Sequence, residues 1–187
     1  TIGKAKITAP SSLTRLEKMG QILAGFIKTD DGDNEWLGSP KYDEMIDIIN
    51  SSTDSFVVWG RHRVVLEMIE TALTKAGIAC KVLSKLSPEK ADLAKKGFRK
   101  GLFKVAICQI NSESKGLNLT GDQPVSTIYL ENSMSIDDRW QSESRTHRIG
   151  MTGTATYIDL CIEDSLDESI VEMLKCKLKI SDYIATY

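Results

Sequence analysis

QINSESKGLNLTGDQPVSTIYLENSMSIDDRWQSESRTHRIGM, residues 109–151, decides how the rest of the chain is read. The apolar run at 126–130 has the length and character of a buried strand. A loop containing Gly116, Asn118 and Thr120 precedes it, and a segment opened by Ser135 follows. If 135–148 is a helix, Gln141, Arg145 and Arg148, spaced four and then three, share one face. Arginine stays protonated and presents a planar fork of donors, so two on one face can clamp a phosphate. The same spacing also describes a solvated helix face balanced by Asp137, Asp138 and Glu143. The neighbouring strand and glycine-containing loop favour the phosphate reading.

Outward from this stretch the chain alternates strands and helices. Ser11 or Ser12 caps a helix expected to carry Leu13, Leu16, Ile22, Leu23, Phe26 and Ile27. Residues 29–38, rich in turn formers, read as a loop, and its acidic cluster lacks the closing glutamate of a calcium loop. Ser39-Pro40 reads as a serine cap with proline at the first helical position. Strands are expected at 55–59, 79–83, 104–108, 127–130 and 154–162. Helices between them end at Gly77 and Gly101. Ser87-Pro88 opens one helix, and Ser165-Leu166-Asp167-Glu168 opens the last as a capping box. Alternation of this kind predicts an α/β fold with a mainly parallel sheet covered by helices on both faces. Ligands of such sheets bind at the carboxyl ends of the strands. The segments 60–63, 110–116 and 131–135 fall there. Arg61 and His62, in the first, are candidate contacts to a phosphate backbone.

Composition narrows the function. The length of 187 residues suits one domain, or one domain with an appendage. Twenty-four basic residues against 26 acidic leave no bulk basicity, so any nucleic-acid binding has to be local. Cys80, Cys108, Cys161 and Cys176 form no CxxC pair; they read as reduced and structural, and a cytoplasmic setting is expected. No apolar run reaches membrane-spanning length. The first residue, Thr1, hints at a piece of something longer. No phosphate-binding GxxxxGK[ST] loop, dinucleotide fingerprint, nucleophile elbow or HExxH zinc pair occurs. The chain offers arginines for phosphate without a cradle of its own.

Taken together, these residues resemble the second RecA-like lobe of superfamily-two helicases and translocases, in particular the Swi/Snf-like branch. Gln141-Ser-Glu-Ser-Arg145-Thr-His147-Arg148-Ile-Gly150 is similar to that branch's sixth motif. Gly116-Leu-Asn118-Leu-Thr120 is similar to its fifth. Phe56 to Arg61 lies where the fourth motif lies, and the resemblance covers about residues 39–177. Residues 1–38 correspond to a helical lead-in and 39–187 to the lobe. The pattern is departed from at Met151, where glutamine is usual, at 134–136, where Trp-Asn-Pro is common, and at 113–115, where small residues are usual.

The resemblance implies a three-layer RecA-like domain that closes on a partner N-terminal lobe with ATP between them. The missing lobe holds most of the ATP and the Mg2+. It implies that Arg148 reaches the γ-phosphate, that Arg145 assists with Gln141 nearby, and that Gly116 and Asn118 lie at the cleft. Arg61, His62 and Ser112 are the expected contacts to DNA, bound without regard to sequence. No membrane partner is implied, and the protein acts wherever the DNA is, in cytoplasm, nucleoid or nucleus. The fragment alone is expected to be inactive. Two other readings of the same residues are a helicase-like lobe used only to bind nucleic acid or partners, and an unrelated doubly wound nucleotide- or sugar-phosphate-binding domain.

Overall fold

The computed structural model describes residues 6–110, 119–120, 124–146 and 155–185. Strand β3 (Ser55–Gly60) is central, and all six of its residues are buried. It pairs in parallel with β5 (Val105–Gln109) on one side and β6 (Val125–Tyr129) on the other. β4 (Cys80–Val82) and β7 (Thr156–Asp159) complete the sheet in the order β4-β5-β3-β6-β7, every pairing parallel. This is the three-layer α/β arrangement that the alternation of elements predicts.

Side chains alternate across a strand, so β3 feeds two cores. Phe56 and Val58 join Val105, Ile107 and Ile128 beneath α2 (Lys41–Ser51) and α3 (Arg63–Lys75). Val57 and Trp59 join Ala106, Cys108 and Tyr129 on the opposite face, beneath α4 (Pro88–Arg99). A strand buried on both faces favours apolar residues at successive positions, which is why 56–59 reads as an unbroken apolar run.

Four expectations are corrected. The helix expected to run through Phe26 and Ile27 ends earlier: α1 is Ser12–Leu23, and Phe26–Lys28 is β1, paired antiparallel with β2 (Asn34–Trp36). Gly25, at φ +92°, breaks the helix, and its carbonyl accepts the N–H groups of Leu37 and Gly38. The loop expected at 29–38 therefore contains a strand. Ser39 does not cap α2; its hydroxyl donates to Leu23 O at 2.9 Å and ties the helix start to the end of α1. The second strand is only three residues long and runs into a 3-10 turn, Leu83–Lys85.

Other local signals are met. Ser11 accepts from Thr14 N at the start of α1, Pro88 opens α4, and Gly77 and Gly101 take positive φ after their helices. The box before α6 (Leu166–Ala185) is offset by one residue: Ser165 accepts from Asp167 N, and Glu168 reaches back to Asp164 N. All four cysteines are free. Cys108 is buried, which pushes its thiol up to about 12, whereas Cys161 and Cys176 are exposed, so packing does not account for those two.

Candidate nucleotide and nucleic-acid site at the carboxyl ends of the strands

Helix α5 (Ile136–Thr146) carries Gln141 and Arg145. Its sheet-facing side is Arg139, Ser142 and Thr146, all buried and all polar. Each has a partner. Thr127 donates to Thr146 Oγ1 at 3.1 Å, and Tyr129 meets Ser142 at 2.7 Å while Ser142 donates to Arg139 O. The Arg139 guanidinium lies 3.7 Å from the Tyr129 ring centroid, pairs with Asp159 and Glu143, and donates to Asn132 at 2.9 Å. Burial disfavours its charge, but these carboxylates outweigh burial and hold its pKa above the ordinary arginine value. Arg139 thus fixes the rotation of α5 about its axis.

That rotation leaves Gln141 exposed and Arg145 half-buried on the other side of the helix. Glu143 is committed to Arg139, and Asp138 accepts from Ser133 at the helix start, so neither balances Arg145. Arg145 Nε is buried and has no hydrogen-bond partner, and no carboxylate among the described residues pairs with this guanidinium. The carbonyl of Arg145 accepts from Leu119 N at 3.1 Å, and Leu119 is fully buried in the second core. The end of the Gly116–Thr120 motif is thereby held against the Gln141–Gly150 motif. Arg148, Gly116, Asn118 and Ser112 lie outside the described residues.

Arg61 and His62 follow β3 and are gripped by two carboxylates. Glu131, after β6, accepts the backbone N–H of Arg61 at 2.7 Å and of His62 at 3.0 Å on one oxygen. Its other oxygen lies 2.6 Å from His62 Nδ1. Glu17, on α1, meets His62 Nε2 at 2.8 Å and Arg61 Nη2 at 2.5 Å. Burial lowers the His62 pKa, but the carboxylates on both ring nitrogens prevail and hold it above the usual value. A Cβ on Gly60 would stand 2.9 Å from Leu66 Cδ2 and 3.6 Å from the Glu131 carboxylate, so glycine permits the close approach here. Among the basic residues of α4 and the segment after it, Lys95 pairs with Asp92 and Lys104 donates to Ser52 O; Lys96 and Lys100 are exposed.

The sequence reading missed Glu17, Glu131, Arg139 and Lys41. Lys41 is buried, 2.5 Å from Asp167 and 3.2 Å from Leu130 O, and ties α2 to the starts of α6 and the post-β6 loop. A usable signal existed for Glu131, a carboxylate directly after an apolar strand. None existed for Glu17, whose partners are 44 and 45 positions away. Among the described residues no group of three His, Cys, Asp or Glu side chains converges as a metal site. No described helix is long and apolar enough to cross a membrane.

No family model matches the chain. It is 24% identical over 152 residues to the ATP-dependent helicase rhp16 of Schizosaccharomyces pombe, covering 79% of this chain and 18% of that protein. It is 25% identical over 138 residues to the protein CHROMATIN REMODELING 19 of Arabidopsis thaliana, covering 72% and 18%. The chain therefore spans under a fifth of each of these relatives. Among solved structures, the C-terminal part of the Fun30 ATPase domain superposes with a TM-score of 0.65 at 21% identity, over 75% of this chain and 46% of that one. The C-terminal domain of the DEAD-box protein Dbp5 gives 0.61 at 16%, over 74% and 78%. The Pyrococcus furiosus Hef helicase domain gives 0.56 at 23%, over 73% and 28%. In sequence the chain is similar to helicase and remodelling proteins, and in fold to the C-terminal RecA-like lobes of helicases.

Proposed function

We propose that this lobe works in a two-lobe, ATP-dependent DNA translocase or helicase, where it supplies arginines to the nucleotide and half of the nucleic-acid track. The observation that carries this reading is Arg145, whose buried Nε has no partner beside the anchored end of the 116–120 loop. A guanidinium half-buried without a carboxylate suits a phosphate brought to it across a cleft. Arg148, three residues on, is assigned the γ-phosphate, with Gln141 beside the cleft and Gly116 and Asn118 in the loop that lines it. ATP, when bound, supplies the phosphoryl group whose equatorial oxygens gain negative charge during transfer. The side chains of this lobe stabilise that charge from the side opposite the phosphate loop and Mg2+, which the other lobe holds. Arg61, His62 and Ser112 are assigned to the DNA backbone.

The test is steady-state ATPase of the intact two-lobe protein at saturating DNA. Arg148→Ala is expected to lower turnover by about 10³- to 10⁵-fold. ATP and DNA affinities should change far less, because the contact strengthens in the transition state. Arg148→Lys should not rescue, since an ammonium cannot reproduce the planar fork. Near-normal turnover in folded Arg148→Ala protein refutes the assignment.

A further inference from the structure

We infer that Glu17 is an intramolecular stand-in for a nucleic-acid phosphate: its carboxylate fills the anion site formed by Arg61 and His62, and α1 must release it before a phosphodiester can bind there. The inference rests on the proposed phosphate-contact role of Arg61 and His62 and adds a competitor to it.

The geometry separates the two carboxylates of this cluster. Glu131 is 7% exposed and serves the fold: it takes two backbone N–H groups and His62 Nδ1, and so shapes the turn after β3. Glu17 is 35% exposed and touches only the cationic tips, one oxygen on Arg61 Nη2 and the other on His62 Nε2. Two donors from neighbouring residues converge on the two oxygens of one anion, which is the pattern that the two non-bridging oxygens of a phosphodiester would satisfy. Carboxylates on both ring nitrogens favour the doubly protonated imidazolium of His62, the form in which Nε2 donates to an anion in the site.

Release of Glu17 does not require α1 to unfold. The C-terminal half of this helix is anchored by Gln21 Oε1, which accepts from Lys28 N, by Ser39, which donates to Leu23 O, and by Tyr42, which donates to Ala24 O; the segment before it is tied by Thr8 to the Asp30 carboxylate. Ala24 itself is fully buried, whereas Leu13, on the N-terminal turn, is 75% exposed. Glu17 is 35% exposed, so a rotamer change of its side chain opens the clamp while the helix stays docked at both ends. A carboxylate held at high local concentration then competes with phosphate, and apparent DNA affinity falls by the fraction of time the clamp is open.

The test is binding of the 187-residue chain to a fluorescein-labelled mixed-sequence DNA 30-mer, followed by anisotropy at fixed salt. Glu17→Gln is expected to tighten binding about tenfold, the gain for a clamp open about a tenth of the time. Glu17→Asp keeps the net charge and shortens the reach by one methylene, so it should tighten binding as well and serves if Glu17→Gln does not fold. Glu44→Gln, on the exposed side of α2, makes the same change of net charge and is expected to leave affinity within twofold. In an Arg61→Ala background the gain from Glu17→Gln should disappear.

Unchanged affinity in both Glu17 variants, alongside weaker binding by Arg61→Ala, overturns the competitor and leaves the phosphate role of Arg61 standing. An equal gain from Glu44→Gln, or a gain that persists without Arg61, also overturns it. If Arg61→Ala changes nothing in either background, the phosphate-contact role itself fails and the competitor fails with it.

Discussion

Arg139 and His62 show how a single ionic side chain is used in this lobe. Arg139 is buried with every direction of its guanidinium engaged by Tyr129, Asn132, Glu143 and Asp159. Arg139→Met keeps the volume but strands the two carboxylates, so it is expected to cost about 3 kcal/mol or more in urea unfolding at neutral pH. His62 gives a pH signature. Its folded pKa is raised, so its contribution is fully present below the unfolded value of about 6.5 and is lost as pH rises through the folded value. Glu17 runs the other way: burial raises its pKa, but His62 and Arg61 prevail and lower it, so its contribution is lost only as pH falls through the lowered value. The network is intact between these limits. The melting temperature of the wild-type chain should therefore fall relative to His62→Gln as pH goes from about 6 to about 9. Parallel melting curves across that range would remove His62 from the stability argument.

Helix α5 is an element positioned by polar contacts where most helices use an apolar stripe. A buried hydrogen bond contributes about 1 kcal/mol net, but a stranded buried hydroxyl costs about 1–3 kcal/mol. Ser142→Ala strands the Tyr129 hydroxyl, which is buried beneath the helix. It is expected to destabilise by about 1–3 kcal/mol, and adding Tyr129→Phe should restore much of that loss, because both partners are then apolar. The double-mutant cycle measures this, and additive losses would place the coupling elsewhere. Since α5 holds Arg145, loosening this seam should also lower ATPase of the intact protein without touching an arginine. The hairpin β1–β2 is an element of the opposite kind. Phe26 and Ile27 continue the helical spacing of α1, and only the backbone freedom of Gly25 and the carbonyl it offers to Leu37 and Gly38 divert the chain into a strand.

For the whole molecule, the described residues hold a guanidinium without a carboxylate but no phosphate-binding loop, so the isolated chain is expected to release phosphate from ATP no faster than buffer, with or without DNA. Clear DNA-stimulated hydrolysis by this chain alone would contradict the two-lobe reading. The fold was legible because parallel strands buried on both faces favour apolar runs: 56–59 and 105–108 are unbroken, and 125–130 keeps Val125, Ile128, Tyr129 and Leu130 around two small hydroxyl residues. Helix starts and stops were legible where the signal is local, as at Ser11, Pro88, Gly77 and Gly101. The spacing of Gln141 and Arg145 was legible because helical periodicity alone sets it. The sequence by itself therefore determined the layers, the alternation of strands and helices from α2 onward and the face on which those residues stand. Only the tertiary structure decided which charges are spent on the fold. Arg139 is neutralised by Asp159, Lys41 by Asp167, and Arg61 with His62 by Glu17, while Arg145 has no carboxylate partner among the described residues. Those pairings join residues 20 to 126 positions apart, and their strength depends on burial and on distances of a few ångströms, which no spacing along the chain encodes.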